Sequence, residues 1–123
     1  MRTLIDKLEA AQAGSMGLSR EVARAAGWIN RGNSRHGEWF APEDVRDGKP
    51  VLDSLRGTTV YREPPDFTRS LDAARTLVPE GWHWKVTDSY AEVRKRERVF
   101  TGCAEPTAEA LNLCIAALKA RDA

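Results

Sequence analysis

Between Trp28 and Phe40 the chain sets aromatic faces and cations side by side: Trp28, Arg31, Arg35, His36, Trp39 and Phe40. Aromatic rings stack on bases, and an arginine fork meets a phosphate through two parallel N–H bonds. The chemistry this pattern suits is non-covalent capture of a nucleotide-type ligand. Trp28 or Trp39 would supply the stacking surface, and Arg31 and Arg35 would meet the phosphate charge. A structural role competes with this reading, in which the two tryptophans pin a long loop to the core and the arginines are solvated.

Covalent chemistry is poorly supplied. The chain has only two histidines, His36 and His83, and neither is spaced from a cysteine or carboxylate as a nucleophile–base pair or metal site requires. His36 beside Glu43, Asp44 and Asp47 supports a hydrolase by composition alone. Neither G-x-x-x-x-G-K-[ST] nor G-x-G-x-x-G occurs, so phosphate-cradling loops of those kinds are missing. The two cysteines, Cys103 and Cys114, fit no zinc spacing and no disulfide framework. The expectation is a binding protein, not an enzyme, with no cofactor and no metal.

Nucleic acid is not the expected partner. Residues from Ser19 to Trp28, with Arg20 and Arg24, imitate half of a helix-turn-helix, but Gly32, Gly37 and Pro42 interrupt the place of a recognition helix. The run Arg94-Lys95-Arg96 with Arg98 reads as charge that blunts a hairpin edge against aggregation. A formal charge of +1 over 123 residues argues against a surface that is basic throughout.

These side chains need a scaffold, and the sequence describes one. With 41% of its residues hydrophobic, the chain suits a single folded domain. Thr3 to Ala13 reads as a helix capped by Thr3, with Leu4, Ile5, Leu8 and Ala11 as its buried stripe. Ser19 is placed to cap a second helix that Gly27 ends. Residues 30–65 carry glycine and proline too often for a long element, with short strands expected near Glu38–Phe40 and Thr58–Arg62. Phe67, Leu71, Ala74, Leu77 and Val78 keep helical spacing until Pro79 and Gly81. The period then becomes two, with Trp82, Trp84 and Val86 on the dry side and His83 and Lys85 on the wetter one. This helix–turn–strand stretch is expected to organise the chain. Two further strands follow, at Tyr90–Arg94 and Arg98–Gly102. A closing helix is capped by Thr107 and lined by Leu111, Cys114, Ile115 and Leu118.

Several stretches resemble the small phage and prophage proteins grouped as the phage α-β-α sandwich domain. They are Ser70-Leu-Asp-Ala-Ala, Leu77-Val-Pro-Glu-Gly-Trp-His-Trp, Leu113-Cys-Ile-Ala-Ala-Leu-Lys-Ala and the opening Leu4-Ile-Asp-Lys-Leu-Glu-Ala-Ala. The resemblance covers the first dozen residues and roughly Phe67 to Ala120, and leaves Gly27 to Pro65 unmatched. It implies a helix–sheet–helix layering and a phage origin, and it implies no catalytic residues.

The expected fold is therefore α+β, a three-stranded antiparallel meander with helices packed on it as a helix-sheet-helix sandwich. One domain would span 1–123, with a helical part at 1–29, an irregular insertion at 30–65 and a core at 66–123. The expected role is a phage accessory protein that counters host defence by sequestering a nucleotide-type signal. The alternatives are an inhibitor that binds a host defence protein, or a small nucleic-acid binder. A homo-oligomer in the host cytoplasm is expected. No membrane contact is expected, since no apolar run approaches the ~20 residues that span a bilayer.

Overall fold

The computed structural model describes residues 1–30, 39–46, 49–50, 63–104 and 108–122. Its centre is the last helix, α4 (Glu109–Arg121). Ala110, Leu111, Leu113, Cys114, Ile115, Ala116, Ala117, Leu118 and Ala120 are all buried, so the helix is enclosed around its whole circumference. A helix apolar on every side must be surrounded to be stable. The sequence pattern suggested a one-sided stripe, and it suggested residues 66–86 as the organising stretch; α4 takes that place instead.

On one side of α4 lies a three-stranded sheet of β5 (His83–Val86), β6 (Ala91–Lys95) and β7 (Arg98–Gly102), in the order β5-β6-β7. Both pairings are antiparallel, and Val93 lies opposite Trp84 on one side and Phe100 on the other. The class is α+β with an antiparallel meander. Around the rest of α4 stand α1 (Arg2–Ala10) and α3 (Leu71–Arg75), and α2 (Met16–Ala25) packs on α1. Two small antiparallel pairs complete the described chain. β1 (Ile29–Asn30) pairs with β2 (Trp39–Phe40), and β3 (Val45–Arg46) pairs with β4 (Lys49–Pro50).

α4 lies over β7 and β6 and barely reaches β5. That offset explains a departure from the alternation rule. Trp84 shares the helix-facing side with buried Val93, yet it is 41% exposed because, among the described residues, no helix lies over its strand. The opposite face carries exposed His83, Lys85, Arg94, Val99 and Thr101. Among the described residues no helix covers that face.

The helix starts differ from the sequence reading for identifiable reasons. α1 begins at Arg2, which puts Thr3 inside it rather than at its cap. Ser15, not Ser19, caps α2, accepting from the Leu18 amide at 3.2 Å. Ser19 is buried within that helix, and its hydroxyl donates to Asp66 Oδ1 at 2.7 Å while accepting from the Thr68 amide at 3.1 Å. Asp66, Phe67 and Thr68 are thereby held in a turn against α2, so α3 starts only after Ser70, whose side chain accepts from Ala73 N. Phe67, Ala74 and Leu77 still reach the core. Gly27 and Gly81 take the left-handed φ values of 103° and 87° that end α2 and turn the chain into the sheet. Thr107 and Thr58–Arg62 lie outside the described residues.

Gly102 sets how closely the sheet approaches α4. A Cβ there would meet the Asn112 carbonyl oxygen and would lie 2.7 Å from Ala116 N and 2.8 Å from Ile115 Cβ. Backbone cannot retreat as a flexible side chain does. Gly102→Ala should therefore cost about 2–3 kcal/mol of unfolding free energy. Urea denaturation would show this as a lower midpoint with an unchanged slope.

Candidate functional site

The β6–β7 hairpin, the Pro79–Gly81 turn and the last turn of α4 enclose a wide cleft of about 1130 Å³. Its walls include Trp82, Lys95, Arg96, Arg98 and Arg121, with Glu80 and Glu97 as the carboxylates. Four cations face two anions, leaving an excess of positive charge around one aromatic residue.

Each cation is placed by a distinct local feature. The hairpin is tight, with Lys95 opposite Arg98, so Arg96 and Glu97 form its tip. Arg96 has φ 56°, the left-handed region that a non-glycine residue enters at a cost. Arg98 lies over two rings, its guanidinium carbon 5.8 Å from the Trp82 centroid and 5.7 Å from that of Phe100. Those rings are 5.8 Å apart and inclined at 46°, so Trp82, Phe100 and Arg98 form one packed group. Arg121 Nε donates to the Leu77 carbonyl at 2.6 Å, which fixes its guanidinium at the end of α4. Partial burial lowers the Arg121 pKa from its ordinary value. An arginine still keeps its proton there. The cleft can hold an anion between the positioned Arg98 and Arg121, with exposed Lys95 and Arg96 beside them, while a flat ring system stacks on the cationic surface there.

Of the residues singled out from the sequence, Trp28, Trp39 and Phe40 are described, and the β1–β2 pairing brings their segments together. Trp39 and Phe40 are 2% and 4% exposed, so neither ring offers an open face. Arg24 lies 5.4 Å from the Trp39 centroid, over the ring. Trp28 is half-buried and lines a smaller hollow of about 360 Å³ with Pro42, Glu43, Glu63, Phe67 and Leu77. Arg121 stands in the wall of both hollows. Arg31, Arg35 and His36 lie outside the described residues.

The cleft residues were visible in the sequence as the Arg94–Arg98 run, which suggested edge protection. What the sequence did not show is that Trp82 and Arg121, distant along the chain, stand across from that run. Among the described residues no cluster of histidine, cysteine, aspartate and glutamate could hold a metal ion. No helix among them is long and apolar enough to cross a membrane. No family model, curated protein or solved structure matches the chain.

Cys114 is buried and its thiol donates to the Phe67 carbonyl at 3.0 Å. Burial first, and then the nearby Asp66 charge, push its pKa far above the ordinary thiol range. The thiolate is the nucleophile, so Cys114 should be inert in the folded protein, while exposed Cys103 is accessible. A thiol-reactive dye should consume one equivalent promptly under native conditions and a second only on unfolding. The sign for stability follows: the folded state disfavours ionisation, so this contribution is intact below the ordinary thiol pKa of about 8.5 and declines as pH rises beyond it.

Proposed function

We propose that this protein acts by binding, and that the cleft beside Trp82 takes a nucleotide-type ligand. The observation that carries the reading is Arg98 lying over Trp82 and Phe100, with Lys95, Arg96 and Arg121 around the same opening. A base needs a flat apolar or cationic surface, and a phosphate needs several fixed donors. Both are present in one place. The cleft replaces the segment at 28–40 as the proposed site, since Trp39 and Phe40 are enclosed and Trp28 faces a separate hollow. The resemblance to phage sandwich-domain proteins gives the reading its biological setting. In that setting the protein would be a phage accessory factor that withholds a nucleotide-bearing ligand, free or in a strand, from host machinery.

The backbone at Arg96 favours a ligand role over a solvated hairpin tip. Glycine would hold φ 56° without the steric penalty, so the arginine sits there at a cost of about 1 kcal/mol. Such a cost is understandable where the side chain has work to do at a site. Two variants separate stability from binding. Arg96→Gly should raise the thermal midpoint by several degrees while weakening ATP binding, followed by titration calorimetry. Arg98→Ala should lower ATP affinity about tenfold, the scale of one lost charge-assisted hydrogen bond. Undiminished ATP affinity in both variants would remove the cleft as the site.

A further inference from the structure

From the cationic cleft, the uncovered sheet face and the exposed Trp84 edge, we infer that the nucleotide held at Trp82 belongs to a single-stranded nucleic acid. The strand would leave the cleft and cross the open side of the sheet. This rests on the binding reading above and specifies its ligand.

The cations do not stop at the cleft. Arg94, Lys95, Arg96 and Arg98 run around the hairpin, and the register sets Arg94 opposite His83 on β5. His83, Lys85, Glu92 and Arg94 surround a second hollow of about 330 Å³ on the sheet. It shares no lining residue with the Trp82 cleft. Lys85 and Arg94 are both exposed, on strands that pair directly. A free nucleotide would fill one hollow and leave the other unused, whereas a chain of phosphates meets both in turn.

Two observations select a single strand. The face is free of helices among the described residues, so an extended ligand has an open path. Trp82 in the cleft and the 41% exposed Trp84 on edge strand β5, both on the helix-facing side, offer flat surfaces to unpaired bases before the strand rounds that edge onto the open face. Paired bases keep their faces stacked inside a duplex and cannot use such surfaces. The sequence reading treated this basic run as edge protection. On the folded sheet it continues into a surface with its own hollow and aromatic edge.

The test compares thymidine monophosphate, an oligothymidylate of about fifteen residues and a duplex of equal length, all by fluorescence or calorimetric titration. The oligonucleotide should bind at least about tenfold more tightly than the monophosphate. Its affinity should fall with salt at a logarithmic slope of about −0.7 per phosphate neutralised. Lys85→Ala with Arg94→Ala should weaken the oligonucleotide about tenfold and leave the monophosphate unchanged. Arg98→Ala should weaken both. If the oligonucleotide binds no better than the monophosphate, if the duplex equals it, or if the Lys85/Arg94 variant keeps full oligonucleotide affinity, the inference is overturned while the cleft reading stands. If the wild-type protein binds neither thymidine monophosphate nor the oligonucleotide, the cleft reading falls as well.

Discussion

The whole molecule depends on keeping water away from α4 on every side. No single neighbour can do this. The sheet covers one flank, α3 another, and α1 a third, with α2 set behind α1. Fully burying a leucine or isoleucine is worth about 1.5–3 kcal/mol. Leu111, Leu113, Ile115 and Leu118 all lie on this one helix, so its enclosure outweighs any local helix propensity in the chain. Even polar groups are drawn into the arrangement. Asn112 is fully buried and accepts from the Ala104 amide at 2.8 Å, tying the chain after β7 to the helix.

The same packing decides what is left uncovered. A single helix cannot roof three strands, and α4 is drawn toward β7 by the missing side chain at Gly102. β5 is consequently left at the margin, and among the described residues the far sheet face, mostly polar with Val99 exposed on it, has no helix over it. Charge then follows topology: the tight turn between β6 and β7 concentrates arginine and lysine where the end of α4 brings in one more cation. The proposed site is a by-product of how the core is closed.

Much of this was legible in the chain, and the failures share one cause. The meander could be read from alternation and turn chemistry, because Lys95-Arg96-Glu97 and Pro79-Glu80-Gly81 are local signals. Ser15 and Ser19 were indistinguishable as caps because their roles are assigned by Asp66 and Thr68, nearly fifty residues downstream. Leu71–Arg75 came out shorter than its apolar spacing because the same contacts hold the preceding turn. Trp39 looked available in one dimension and is enclosed in three. The cleft joins residues around 80, 96 and 121, and no window along the sequence contains all of them.

Arg121 occupies an unusual position in this arrangement. It closes the final turn of α4, holds the end of α3 through the Leu77 carbonyl, and forms part of the partition between two hollows. Whatever settles on one side of that guanidinium alters the electrostatic field and the freedom of movement on the other. The two chambers therefore share a common wall stud, the single cation among the described residues that stands in the wall of both.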